Sequence, residues 1–390
     1  MSHLMNNYAR QDVVFTHGTG SQLFDEQGRR YLDGLAGIAV NTLGHNHPRL
    51  VAALTQQVTK LIHVSNVYRI KEQEVLADRL AALSGMDEVF FCNSGCEANE
   101  AAIKLARLFG HQKNIDQPAI VVMEQAFHGR TLATLSATGN RKVQAGFEPL
   151  VPGFVRVPFA DLAAIEQVAA NNSNVVAVLF EPVQGEGGIR VADDDFLRGL
   201  RRICTECGWL LMVDEVQCGI GRTGMWFAHQ HAGIKPDVMA LAKGLGSGVP
   251  IGACLTAGPA ANVFKPGNHG STFGGNPLAC TAALTTLAVL EEDQLLARAT
   301  ALGERMIVRL RERLADLPAV VEIRGSGLML GIELDRPCAA LVAAGLEAGI
   351  LINVTADKVV RLLPPLVMTD AEADELVDKL AVVLKVFLAG

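Results

Sequence analysis

The chain has 390 residues, of which 49% are hydrophobic and 19% charged, and its net charge is −7 at pH 7. This apolar content can fill a large core and excludes a disordered chain, and the length favours two domains over one. An acidic balance without a basic run argues against a nucleic-acid partner, and no apolar stretch reaches the ~18 residues of a membrane span.

The first residues, Met1-Ser-His-Leu-Met, have neither an apolar signal core nor an Arg/Ser-rich transit pattern, so a cytoplasmic location is expected. Up to about residue 45, short strands are predicted around Phe15, Leu23 and Tyr31, separated by Gly turns; they are too few to fold alone. Strand and helix signals then alternate. Strands are expected at 88–92, 119–123, 175–180, 209–214, 237–243 and 251–256, and helices at 97–109, 161–170 and 196–207. Such alternation predicts an α/β domain with a large, mostly parallel sheet covered by helices on both faces. After about Asn276 the pattern changes to long helices at 277–291 and 294–314. Strands at 320–324, 328–334 and 359–363 follow, with a helix at 338–348 and a last helix opened by the capping box Thr369-Asp-Ala-Glu372. This is a smaller α+β unit. The expected division is an N-terminal segment over 1–45 packing with the small unit, a large domain over 46–280 and a small domain over 281–390.

Eight cysteines in a long acidic chain do not form a disulfide framework. Cys204-Thr-Glu-Cys207 has no second Cys/His pair at zinc spacing, so buried thiols are the better reading and no metal is expected.

Chemistry concentrates at the strand ends. Asp214 closes the apolar run from Trp209, and Lys243 closes the run from Asp237. Open α/β sheets bind ligands at the carboxyl edge of such strands. A carboxylate and an amine held there are the two groups a pyridoxal 5′-phosphate (PLP) enzyme needs, the amine for a Schiff base and the carboxylate to keep the pyridine nitrogen protonated. Ser94 and Gly95 stand where a strand turns into a helix, with backbone N–H groups able to hold a phosphate. Phe127 follows the next strand and could stack on a ring, and Arg130 could grip a carboxylate. Glu181 and Glu186 bring further carboxylates to the same edge, and Ser271 and Thr272 open a Gly-rich loop suited to a second phosphate contact. Arg361 lies in an apolar strand, where it needs an anionic partner or a route to water. Each feature has an ordinary structural explanation by itself; together they converge on one edge of one sheet.

The string Asp214-Glu-Val-Gln-Cys-Gly-Ile-Gly-Arg-Thr-Gly224, followed by Lys235-Pro-Asp237 and Ala242-Lys-Gly-Leu-Gly246, resembles the signature of class III PLP-dependent aminotransferases. Gly44-His-Asn-His-Pro48, Asn93-Ser-Gly95, Phe127-His-Gly-Arg-Thr131, Gln184-Gly-Glu-Gly-Gly188 and Ser271-Thr-Phe-Gly-Gly-Asn-Pro277 match in the same order. Within the family the chain is most similar to the acetylornithine subgroup. The resemblance implies a PLP fold-type I homodimer that exchanges an amino group between N2-acetyl-L-ornithine and 2-oxoglutarate. Succinylornithine, ornithine and 4-aminobutyrate remain alternative donors, and an isomerase or racemase on the same fold is a further alternative. It also implies roles. Lys243 would carry the Schiff base and shuttle a proton, and Asp214 would pair with the pyridine nitrogen. Ser94, Gly95 and Cys96 would surround the phosphate, with Glu215, Val216 and Gln217 beside the ring and Phe127 stacked on it. Thr272 would reach the phosphate of the other subunit's cofactor. Arg130, Ser271 and Arg361 would hold substrate, with Glu186 paired to Arg361. Cys96 departs from the Thr or Ala usual at its position.

Overall fold

The computed structural model describes residues 3–389. Met1, Ser2 and Gly390, at the outer ends of the expected first and last parts, lie outside the described residues.

The centre is a seven-stranded sheet. Its order is Glu88–Cys92, Gly252–Thr256, Val238–Leu241, Leu210–Asp214, Val175–Phe180, Ala119–Met123 and Phe154–Val157. Gly252–Thr256 runs antiparallel to both neighbours, and the other pairs are parallel. The inner strands are buried on both faces, which is why they read as continuous apolar runs. Their alternation sorts the core. Ile120, Val122, Leu179 and Met212 pack under the helix Gly95–Gln112 on one face. Val121, Val178, Phe180 and Leu211 pack under Leu162–Asn171 and Asp194–Cys207 on the other. The sheet is thus the middle layer of an α/β sandwich.

The long helices Pro277–Glu292 and Leu295–Arg313 lead to an antiparallel sheet of Val320–Ser326, Met329–Leu334, Val359–Leu362 and Asn353–Thr355. The last helix, Asp370–Ala389, begins at the expected cap: Thr369 Oγ1 accepts from the Glu372 N–H, and the Glu372 carboxylate accepts from the Thr369 N–H. The N-terminal strands Phe15–Thr19, Gln22–Asp25 and Arg30–Asp33 form their own sheet, to which Ile350–Leu351 adds in parallel. No helix among the described residues is long and apolar enough to cross a membrane.

Among the elements with no counterpart in the sequence reading are the helices Pro48–Val58, Lys71–Ser84 and Leu132–Ala137 and the strands Phe154–Val157 and Asn353–Thr355. The strand expected at 237–243 ends at Leu241. Lys243 takes φ +44 and begins a short 3-10 turn, so it cannot continue a strand.

Candidate active site

The parallel strands deliver Asp214, Lys243, Glu181 and the turn at 125–130 to one edge of the large sheet. A cavity of about 420 Å³ opens there. Of the residues singled out by sequence, it brings together Ser94, Gly95, Cys96, Phe127, Arg130, Glu181, Asp214, Val216, Gln217 and Lys243.

Asp214 is 3% exposed and faces three donors. Oδ2 accepts from Asn99 Nδ2 at 2.7 Å and pairs with His128 Nδ1 at 2.8 Å, and Oδ1 accepts from the Val216 N–H at 3.0 Å. Asn99 and His128 line the cavity too, and Asn99 Oδ1 and His128 Nε2 are buried without a partner. The sequence reading quoted His128 inside a motif but gave it no role, and it passed over Asn99. The available signal was helical spacing, since Asn99 stands four residues after Gly95.

Lys243, two residues past the strand Val238–Leu241, is half-buried, and this desolvation holds its amine below the ordinary lysine value. The Arg361 cation pushes the same way, while Glu186, Asp214 and Glu181 pull it back. Its left-handed backbone costs an unbranched residue on the order of 1 kcal/mol, a strain often found at functional positions.

At the opposite end Ser94 caps the helix Gly95–Gln112. Its hydroxyl accepts from the Glu97 N–H at 3.2 Å, and Glu97 Oε2 accepts from the Asn93 N–H at 2.8 Å. With Ser94 so engaged, the N–H groups of Gly95 and Cys96, which have no acceptor within the helix, are the donors left for an anion. A Cβ at Gly95 would meet the Val216 side chain at 2.5 Å, so only glycine lets the helix start lie so close to the strand end. The Cys96 thiol turns toward Thr131 and Thr134, with Oγ1 atoms at 3.3 and 3.2 Å.

Phe127 lies half-buried, with the Arg130 guanidinium 5.5 Å from its ring centroid. Arg361 is fully buried and has the anion its strand demanded: Nη1 donates to Glu186 Oε1 at 2.7 Å and to Gln217 Oε1 at 3.2 Å. Nε donates to Asn353 Oδ1 at 3.1 Å, and Nη2 is left unpartnered. Gln217 therefore joins the Glu186–Arg361 pair to the cavity. Ser271 stands at the margin, its Oγ accepting from Asn93 Nδ2 at 3.2 Å, and Thr272 is exposed outside the cavity. Glu215 does not belong with the others. Its carboxylate accepts from the N–H groups of Ala228 and His229 at 2.9 and 2.8 Å and meets His229 Nδ1 at 2.9 Å, while its own N–H donates to the Ala240 carbonyl. Side chain and amide both hold the chain after the strand.

These residues fit PLP. A buried carboxylate faced by an amide and an imidazole, and by no arginine or lysine at hydrogen-bond distance, has room for a cationic ring N–H. A lysine with a lowered pKa can present a free amine to an aldehyde, and a helix start supplies N–H groups to a phosphate.

The profile of the family "Aminotransferase class-III" matches residues 4–384. A protein named acetylornithine aminotransferase from Nitrosomonas europaea is 61% identical over 388 residues, covering 100% of this chain and 99% of the relative. One named acetylornithine aminotransferase 1 from Bordetella parapertussis is 58% identical with the same coverage. Among solved structures, the ornithine aminotransferase from Toxoplasma gondii superposes with a TM-score of 0.95 at 36% identity, covering 99% of this chain and 93% of that one. The N-acetylornithine aminotransferase from Stenotrophomonas maltophilia gives 0.86 at 35%, covering 98% of each.

Proposed function

Because the chain belongs to the class III aminotransferases, a PLP-dependent family, we propose that it moves the δ-amino group of N2-acetyl-L-ornithine to 2-oxoglutarate. The products are N-acetylglutamate 5-semialdehyde and glutamate, a step that fits arginine biosynthesis. The observation that carries the chemistry is a half-buried lysine and a buried carboxylate in the walls of one cavity. The names of the full-length relatives choose the donor.

When bound, PLP supplies an aldehyde that takes up amines and an electron-poor ring that spreads the negative charge left on a deprotonated carbon. The chain's own residues do the rest. Lys243 Nζ, whose pKa burial lowers, would hold the cofactor and take the proton from the donor's δ-carbon. The Asp214 carboxylate would face the ring nitrogen, and Asn99 and His128 fix that carboxylate in place. The N–H groups of Gly95 and Cys96, beside the Ser94 cap, hold phosphate. Phe127 would cover the ring, Val216 would line its pocket, and Gln217 would donate to its hydroxyl. Arg130 and Arg361 bind substrate carboxylates, Ser271 adds a hydroxyl at the rim, and Glu186 occupies Arg361 while the donor is bound. Thr272, outside its own cavity, reaches the phosphate of a partner subunit in a homodimer. The protein works in the cytoplasm.

A second reading has one observation in its favour: the ornithine aminotransferase of Toxoplasma gondii superposes with the higher TM-score. Half-reactions separate the donors. Donor alone should convert the bound cofactor to its pyridoxamine form, and 2-oxoglutarate should return it. N-Acetylornithine should drive this faster than ornithine; the reverse order would replace the first reading by the second.

A further inference from the structure

We propose that Glu181 is a positioning residue that ties the turn carrying Phe127 to the turn carrying Glu186, and so governs the affinity for 2-oxoglutarate while leaving cofactor binding nearly untouched. The inference rests on the reading of Arg361 as the site of the acceptor's carboxylate.

Glu181 follows the strand Val175–Phe180, is 5% exposed and lines the cavity, yet no step of the transfer uses it. Its two oxygens serve different turns. Oε1 accepts from the Phe127 N–H at 2.9 Å, and Oε2 accepts from the Gly185 N–H at 3.4 Å. The residue after Gly185 is Glu186, which holds Arg361. The turn has little freedom elsewhere. A Cβ at Gly185 would meet Gln217 Oε1 at 2.1 Å, so the turn lies against the second acceptor of Arg361. From the far side Thr355 Oγ1 donates to the Glu186 carbonyl. Glu181 and Thr355 therefore brace Glu186 from both sides, and the balance between Glu186–Arg361 and substrate–Arg361 pairing depends on where that turn sits.

A carboxylate can accept from both N–H groups; a carboxamide cannot. In Glu181→Gln the oxygen keeps the shorter bond to Phe127, and the new NH2 faces the Gly185 N–H. The ring-covering turn stays, and the Glu186 turn loosens. Losing that bond loosens the Glu186 carboxylate that competes for Arg361, which corresponds to up to about a 5-fold tighter engagement of 2-oxoglutarate, ~1 kcal/mol. Protonation does the same in the wild type. Burial pushes the Glu181 carboxyl up to about 7; among its neighbours His128 pulls it down, and Asp214 adds to the rise. Lys243 and Cys218 complete the titratable groups around it.

The test compares the holoenzyme with Glu181→Gln. Expected are an apoprotein affinity for PLP, read by fluorescence titration, within about 2-fold of wild type and an unchanged donor half-reaction. The KM for 2-oxoglutarate should fall about 5-fold, and the decrease in that KM which the wild type shows below about pH 7 should be absent; a raised KM would overturn the inference. Added to Glu186→Gln, the substitution should have no further effect. Thr355→Val, which removes the other hydrogen bond to this turn, should lower the same KM alone, and it serves if Glu181→Gln does not fold. Equal losses in both half-reactions, a matching loss of PLP affinity, or full additivity with Glu186→Gln would overturn the inference. If the wild type itself fails to return with 2-oxoglutarate, the proposed function falls with it.

Discussion

Asp214→Asn separates charge from shape at the centre of the site. The carboxylate accepts three hydrogen bonds, from Asn99, His128 and the Val216 N–H. A carboxamide offers one acceptor oxygen. Placed at the Oδ2 position it keeps Asn99 and His128, and its NH2 then faces the Val216 N–H. One bond is lost and two donors oppose each other in a buried place, a cost of about 1–3 kcal/mol in stability. The effect on rate has another origin. The negative charge facing the ring nitrogen disappears, and removing such a preorganised electrostatic partner costs ~10²–10³ in kcat. The assay is steady-state transamination at saturating PLP, with denaturant unfolding of the same sample. The expected result is a folded protein, modestly destabilised, that binds PLP and turns over at least ~100-fold more slowly. Turnover within about 3-fold of wild type would refute the electrostatic role, because a hydrogen-bond change of this size cannot offset the loss.

Lys243→Ala should still bind PLP through phosphate and ring contacts but complete no turnover. Borohydride reduction of the wild type followed by peptide mapping should label Lys243, and a label elsewhere sinks the assignment. Since burial lowers the Lys243 pKa from the ordinary 10.5, more of its amine is neutral at any pH below that value. Covalent PLP uptake by the apoprotein at neutral pH should therefore outpace that of an exposed lysine, and equal rates would remove the argument from burial. Arg361→Lys should harm mainly the 2-oxoglutarate half-reaction, because an ammonium cannot make the forked pair with a carboxylate; equal damage to the donor half would place the acceptor elsewhere. Mixing Lys243→Ala subunits with inactive Thr272 variants should restore part of the activity, and no recovery under confirmed subunit exchange would return Thr272 to its own subunit's site.

The central sheet was legible because its strands are buried on both faces, so their sequences are unbroken apolar runs ending in polar residues. Asp214 and Lys243 stand out for the same reason. The helix Lys71–Ser84 was missed although strong helix formers run up to Gly85, which caps it in the left-handed conformation. Its face is only partly apolar: Leu76 and Leu80 are its buried residues. The site residues that escaped notice act through others. Asn99 and His128 matter only because folding brings them to Asp214 from a helix 115 residues away in sequence and a turn 86 away. No local pattern carries such a relation. Glu215 sits inside a motif whose neighbours line the cavity, but a one-residue step at a strand end turns its side chain onto His229.

The donor is tested most directly by a panel assayed with 2-oxoglutarate as acceptor. Ornithine keeps an α-ammonium that would face an arginine uncompensated, and the acetyl cap removes that charge. N-Acetylornithine should exceed ornithine in kcat/KM by at least ~10-fold, a difference worth ~1.4 kcal/mol. Equal efficiency with ornithine, or a higher value with 4-aminobutyrate, would contradict the assignment.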